Sequence, residues 1–126
     1  MAWKLNSDLP VSQQLYMKLQ TDILNGEYPP GSQFPPVRKL AMEASVNPNT
    51  MQKVMGLLEE EGLLSCTSTA GRFVTEDRAL LGRKKREMQE AFLLKALGEA
   101  KALGIEKEQL LDFVNNRFDE SEEEYD

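Results

Sequence analysis

Residues 47–53 (NPNTMQK) place amide, hydroxyl and ammonium side chains close together in the middle of the chain. Asparagine and glutamine amides can pair bidentately with adenine, and threonine can hydrogen-bond to a base or contact the methyl group of thymine. Asparagine followed by proline also starts helices well, because the asparagine caps free N–H groups and proline fits the first helical position. The segment therefore predicts a helix whose polar first turn can contact the major groove. Its candidate DNA contacts are Asn47, Asn49, Thr50, Gln52 and Lys53.

Basic side chains lie before and after this segment. Arg38 and Lys39 fall in the first turn of a short predicted helix, which in a helix-turn-helix crosses the sugar-phosphate backbone. Arginine suits phosphate through its planar fork of donors, and the alternative is a solvated surface pair. Arg72 follows a predicted hairpin turn, where contact with DNA and a plain strand-edge charge remain equally open. For Asn47 the main predicted role is capping, with a backbone contact to phosphate as a second role.

The apolar pattern predicts the helices that would position these side chains. Residues 11–25 repeat apolar residues at helical spacing, with Ser12 as the cap and Gly26 after the end. Pro35 and Pro36 open a second helix, and the third runs from residue 47 to Gly62, where glycine ends it. The side chains predicted to be buried in the first and third helices are Val11, Leu15, Leu19, Ile23, Leu24, Met51, Val54, Met55, Leu57 and Leu58.

The second half of the chain predicts a hairpin and two more helices. Residues 63–68 and 72–75 read as strands around a turn at 69–71, and a long helix follows from Thr75 to about residue 103. A final helix over 106–118 directs Leu110, Leu111, Val114 and Phe118 inward. The predicted fold class is mainly α with a small β-hairpin: a winged helix-turn-helix domain (residues 1–76), two C-terminal helices (77–118) and a disordered acidic tail (119–126).

Composition excludes several kinds of site. The chain has no histidine and a single cysteine, which rules out an intramolecular disulfide and a Cys/His zinc cage. That cysteine, Cys66, is predicted to be a small packing residue, with redox sensing as the alternative. The net charge is −6, but six of the 21 acidic residues lie in the last eight positions, so the rest is electrically balanced. A balanced body can still present one basic face, because phosphate attraction is local.

No secretory signal or membrane-spanning stretch is evident in the sequence. A cytoplasmic location and no membrane partner are therefore expected.

Three longer segments resemble the GntR family of regulators, and within it the short YtrA-type group. They are PVSQQLYMKLQTDILNGEYPPGSQFPPVRKLA, VNPNTMQKVMGLLEEEGLL and TAGRFVT, which together span about residues 9–76. The resemblance implies DNA contact by Arg38, by the first turn of the third helix (Asn47, Asn49, Thr50 and Gln52) and by the wing near Gly71. It also implies that two C-terminal helices pair two subunits, and it suggests control of nearby transporter genes.

Three positions depart from the family pattern. Pro36 stands where the family has a serine that would cap the second helix, so no hydroxyl is available there. Phe34 replaces a leucine, which a core tolerates. Thr69 replaces the first wing glycine, which puts a tight approach of that backbone to the groove in doubt.

The long helix predicts a two-fold dimer. Its apolar residues recur at near-heptad spacing and exceed what one helix needs to cover the wing, and a bare patch of that size would be unusual in a monomer. The alternative is packing against the final helix and the chain's own DNA-binding domain. The predicted interface residues are Leu81, Met88, Phe92, Leu103, Leu111 and Val114.

Together these patterns predict a sequence-specific transcription regulator, a repressor by expectation, that binds a palindromic double-stranded operator as a homodimer. The alternative is a winged-helix module that binds protein. We expect no enzymatic activity and no cofactor, because no nucleophile and base occur together. The sequence leaves a small-molecule effector open.

Overall fold

The computed structural model describes residues 3–67 and 70–120. Within these residues, five helices and two strands follow one another in the order helix, helix, helix, strand, strand, helix, helix. They are α1 (Val11–Leu24), α2 (Val37–Ala44), α3 (Pro48–Glu60), β1 (Leu64–Thr67), β2 (Gly71–Val74), α4 (Arg78–Ala102) and α5 (Lys107–Arg117). The predicted fold class, mainly α with a β-hairpin wing after a helix-turn-helix, is confirmed.

The chain divides into two compact units, Met1–Arg86 and Glu87–Asp126. The first unit holds α1, α2, α3, the hairpin and the start of α4. In it α3 packs on both α1 and α2 and on the first strand. Its core is formed by apolar side chains less than a tenth exposed, namely Leu15, Leu19, Ile23, Leu24, Phe34, Leu40, Ala41, Ala44, Met51, Val54, Met55, Leu58, Leu63, Leu64 and Val74.

Two of the predicted core residues lie at the surface instead. Val11 is 39% exposed and Leu57 is 46% exposed. In each of the two helices, the sequence has more apolar residues on one side than the structure buries. Val11 is the first residue of its helix, one turn before the buried Leu15, and Leu57 lies beside the buried Leu58.

The start of α1 is stabilised differently from the prediction. Pro10 is the residue before the helix, and no side chain caps it, so Ser12 has no capping role. The side chain of Gln14 binds the preceding loop instead: its Oε1 accepts from the backbone N–H of Asn6 (2.6 Å) and its Nε2 donates to the Asn6 carbonyl (2.7 Å). These bonds tie the preceding loop to the first turn of α1, but they do not cap the helix, because the Gln14 side chain accepts from no N–H group of α1.

The start of α4 and the environment of Cys66 also differ from the predictions. Asp77, two residues after Thr75, caps the long helix, because its Oδ1 accepts from the N–H of Leu80 (3.0 Å). Cys66 is a free, exposed cysteine, so the prediction of a packing role is wrong. The hairpin has only two strands, and of β1 only Leu64 is buried. Along β1, burial therefore ends before Cys66.

The second unit contains most of α4 and all of α5. No side chain of either helix is buried. Phe92, Leu103 and Phe118 are 70%, 80% and 75% exposed. The prediction that α5 directs its apolar residues inward is wrong within one chain, where Leu111 and Val114 are about half exposed. Residues 121–126, most of the predicted acidic tail, and Thr69 lie outside the described residues. Among the helices described, none is both long and apolar enough to cross a bilayer.

Candidate nucleic-acid interface

The start of α3 has the predicted cap. Asn47 is in an extended conformation (φ −65°, ψ 132°), and its Oδ1 accepts from the backbone N–H of Asn49 at 2.7 Å. Pro48 occupies the first helical position, where its missing N–H is not needed. The backbone N–H groups of Thr50 and Met51 donate to the Asn47 carbonyl at 3.0 and 3.2 Å. The helix therefore begins at a fixed residue, which fixes the directions of the side chains that follow.

The first two turns of α3 separate into an apolar and a polar side. Met51, Val54 and Met55 are fully buried. Asn49, Gln52 and Lys53 are exposed and Thr50 is half-buried. The apolar side anchors α3 in the core, and the polar side chains on its other side remain accessible to a partner. A helix N-terminus also carries a partial positive charge that favours phosphate.

The turn between α2 and α3 depends on Ser45, which adopts a left-handed conformation (φ 57°, ψ 47°). The N–H of the next residue, Val46, then donates to the Ala41 carbonyl at 2.9 Å, which closes the end of α2. Sequence reasoning placed the turn here but did not find this conformation, because serine is an uncommon choice for a positive φ. Arg38 and Lys39, at the start of α2, are both exposed. Pro36 precedes α2 without a side-chain cap, as its residue type implies.

The hairpin that follows α3 is the wing. Its strands are antiparallel, with Leu64 opposite Val74, Cys66 opposite Arg72 and Thr67 opposite Gly71. Gly71 has a φ of 86°, which a residue with a side chain rarely adopts. The turn is supported by Gln33, whose Nε2 donates to the Ala70 carbonyl at 2.8 Å. Sequence reasoning missed Gln33, because 37 residues separate the two groups and no local pattern links them.

Arg72 lies at the junction of the wing and α3. Its Nε donates to Oε1 of Glu59 in the last turns of α3. The Arg72 side chain is only 17% exposed, and that of Glu59 is 30% exposed. The sequence left DNA contact and a strand-edge charge open for this residue. The ion pair with Glu59 is a third arrangement, and neither residue type alone indicated it.

The perturbed ionisable groups lie on α1 and the loop after it. Burial, followed by a hydrogen bond to Glu61 and its charge, raises the pKa of Tyr16 well above its usual range. Burial first, and then the charges of nearby carboxylates, also raise the pKa of Tyr28. Among residues 3–67 and 70–120, no group of three or more His, Cys, Asp or Glu side chains is placed to hold a metal ion.

With this geometry in place, comparison with known proteins identifies the family. Residues 11–74 match the family model of the bacterial regulatory proteins of the gntR family. The chain belongs to the GntR family. Its match covers α1 to β2, the elements that carry the capped helix start and the wing.

One relative of this GntR regulator is similar to it over a longer stretch than the segment that matches the family model. It is 29% identical over 109 residues to the HTH-type transcriptional repressor YtrA of Bacillus subtilis, an alignment that covers 86% of this chain and 84% of YtrA. An alignment of this length extends past the wing and includes α4.

Two solved structures are similar to it. One is a GntR family transcriptional regulator from Listeria monocytogenes, with a TM-score of 0.84 and 27% identity over 89% of this chain and 98% of that one. The other is the DNA-binding domain of AraR in complex with its operator ORX1, with a TM-score of 0.53 and 25% identity over 60% of this chain and 95% of that one. The chain is thus a transcription regulator with a winged helix-turn-helix DNA-binding domain.

Proposed function

We propose that this GntR-family chain is a repressor that binds a palindromic operator as a homodimer, with the start of α3 in the major groove. The observation that carries the proposal is that the first turn of α3 is capped, polar and exposed, while the opposite side of the same helix is anchored in the core. A solved relative of the same fold, the AraR domain, is bound to an operator, and the relative YtrA is named a repressor. No enzymatic activity or cofactor is part of the proposal, because the family consists of regulatory proteins. A chromosomal target implies that it acts in the cytoplasm.

Contacts are assigned by side-chain type and exposure. Asn49, Thr50 and Gln52 supply amide and hydroxyl groups for base edges. Arg38, Lys39 and Lys53 supply charge for phosphates, and Asn47 contributes its backbone beside its capping role. Gly71 lets the wing backbone approach the duplex closely, because no side chain intervenes.

The homodimer is supported by the second unit. Its helices expose a series of apolar side chains that no part of the unit covers, including Phe92, Leu94 and Leu97 at 70%, 63% and 44%. Such a surface in a water-soluble regulator needs a partner, and a second copy is the partner always present. We therefore keep Met88, Phe92, Leu103, Leu111 and Val114 as interface residues, together with Leu81, which lies in the first unit and is half-buried. A two-fold dimer would hold two α3 helices roughly 34–36 Å apart, one turn of the duplex.

The first test is to recover the DNA that the full chain retains from a random-sequence pool. We expect an inverted repeat, and binding that weakens steeply as salt rises. Retention of no duplex would refute the proposal and favour a protein-binding winged helix.

Two substitutions then separate base reading from phosphate contact on the recovered duplex. Gln52→Ala should change which base is preferred at one position of each half-site, by about 1–3 kcal/mol of discrimination. Arg38→Ala should weaken all duplexes alike and lower the salt slope by about 0.9 for each phosphate that is no longer neutralised. Lys101→Ala, which removes a charge from the end of α4, is the matched control and should leave the slope unchanged. If neither Gln52→Ala nor Arg38→Ala alters binding, the assigned surface is wrong.

A further inference from the structure

We propose that Glu59 and Arg72 form a brace that positions the wing against α3, so that Arg72 acts on DNA binding through Glu59 and not by contacting the duplex. The inference rests on the DNA-binding function proposed above and assigns a role to a residue pair within it. Arg72 is then a positioning residue, although its charge and its place in the wing make it look like a DNA contact.

The strand register directs Arg72 toward the protein. Alternate residues of a strand share one face, so Arg72 and Val74 leave β2 on the same side. Val74 and its cross-strand partner Leu64 are 1% and 3% exposed. Their face is therefore the one that covers the core. The Arg72 guanidinium follows this direction and reaches Glu59, which explains why its side chain is only 17% exposed.

Glu59 connects the brace to the DNA-facing part of α3. It follows Gln52 by seven residues, which on an α-helix is only about 20° short of two full turns. Glu59 therefore lies on the same stripe as Gln52, two turns further from the start. A shift of the wing relative to Glu59 is consequently a shift relative to the side chains that read bases.

The charge of Glu59 gives the pair a second effect. An unpaired carboxylate on the stripe that faces a duplex repels phosphate. The bond from Arg72 neutralises this charge within the protein, and charge-assisted bonds of this kind are stronger than neutral ones. Removal of the Arg72 side chain would therefore loosen the wing and expose a repulsive charge.

The wing is also held from its other side. The N–H of Phe34 donates to the Arg72 carbonyl at 2.7 Å, and Gln33 binds the turn at Ala70. These bonds fix the outer edge of β2 to the loop before α2. Neither reaches α3, and within the described residues the Glu59 bond is the side-chain hydrogen bond that joins β2 to that helix.

A double-mutant cycle distinguishes a brace from a DNA contact. The variants are R72Q, E59Q and E59Q/R72Q, and the probe is the inverted-repeat duplex that the wild-type chain retains. For a brace, R72Q weakens binding about fivefold when Glu59 is present, the upper end for a partly exposed ion pair, and less than twofold in the E59Q background. The salt slope of E59Q and of E59Q/R72Q is then the same.

A direct phosphate contact gives the opposite pattern. R72Q would weaken binding as much or more in the E59Q background, because E59Q frees the guanidinium, and the salt slope would fall by about 0.9. That result overturns the brace. The matched control is the ion pair Lys18–Asp22 within α1 (3.1 Å). K18Q, D22N and their double variant should leave the duplex affinity unchanged.

Amide exchange in the free protein tests the brace without DNA. R72Q should raise the exchange rates of residues 71–74 about fivefold, and the same change in the E59Q background should add less than twofold. Unchanged exchange in R72Q overturns the brace. Failure of the wild-type chain to retain any duplex would instead refute the proposed function, while exchange would still report whether the pair holds the wing.

Discussion

The two units of this chain use their apolar residues in opposite ways. In the first unit, apolar side chains from α1, α2, α3 and the hairpin meet and are almost fully buried, and the polar turn of α3 is left exposed. In the second unit, no side chain of α4 or α5 is buried, and large apolar groups such as Phe92 face outward. The first unit therefore has a core of its own, whereas α4 and α5 form none within one chain.

This difference indicates which functions can be separated. A unit with its own core can keep a binding surface in place without a second subunit, because its buried side chains fix the helix from which the exposed ones project. In the proposed dimer, a pair of helices without a core would obtain its stability from association, so its folding would depend on protein concentration. DNA reading and dimerisation are therefore expected to respond to different substitutions.

The largest expected effect follows from a charge in the second unit. Phe92→Glu would bury two unpaired carboxylates in the proposed two-fold interface and should weaken the dimer by at least about 4 kcal/mol, on the order of a thousandfold. Sedimentation equilibrium at micromolar concentration would show a dimer for the wild-type chain and a monomer for the variant. Met42→Glu is the control, because Met42 is even more exposed (79%) but lies in the first unit. A monomeric wild-type chain would remove the dimer from the proposal.

A smaller effect is expected in the core of the first unit, where two adjacent leucines provide a matched pair. Leu58 is fully buried and Leu57 is 46% exposed. Leu58→Ala should lower the free energy of unfolding by about 2–5 kcal/mol, because it leaves a cavity. Leu57→Ala should lower it by less than about 1 kcal/mol. Urea denaturation at two protein concentrations measures both. If the decrease for Leu58→Ala varies with concentration, the first unit is not complete as a single chain.

Local chemistry explains which elements the sequence could predict. Asn47, Pro48 and Gly62 mark the ends of α3 through groups within a few residues, so their roles could be read directly. Helical spacing likewise found Leu15 and Leu19, which lie in the middle of a buried stripe. The family pattern indicated the helix-turn-helix, the wing and the Phe34 core position, and all three are present.

The remaining features depend on contacts between distant residues. The bonds of Gln33 to Ala70 and of Arg72 to Glu59 join different elements, and no spacing rule anticipates them. The exposure of Cys66 depends on how far the core extends under the hairpin, and that of Leu57 on the width of a helix contact. A residue type sets what a side chain can do, but the fold decides what lies opposite it.

The smallest expected effect is a pH dependence confined to the first unit. Tyr16 lies on α1 beside Gln20, whose Nε2 is 3.2 Å from its hydroxyl, and burial and Glu61 raise its pKa above the ordinary value of 10.0. Above pH 10 the unfolded chain therefore loses a proton that the folded chain keeps, and the free energy of unfolding falls as the pH rises. Tyr16→Phe should make this fall shallower between pH 10 and 11, and Glu61→Gln should do so less, because burial remains. Urea denaturation across this range measures the slope. Equal slopes for the wild type and Tyr16→Phe would contradict the raised pKa. If Tyr16→Phe also changed the monomer–dimer equilibrium, the two units would not respond separately.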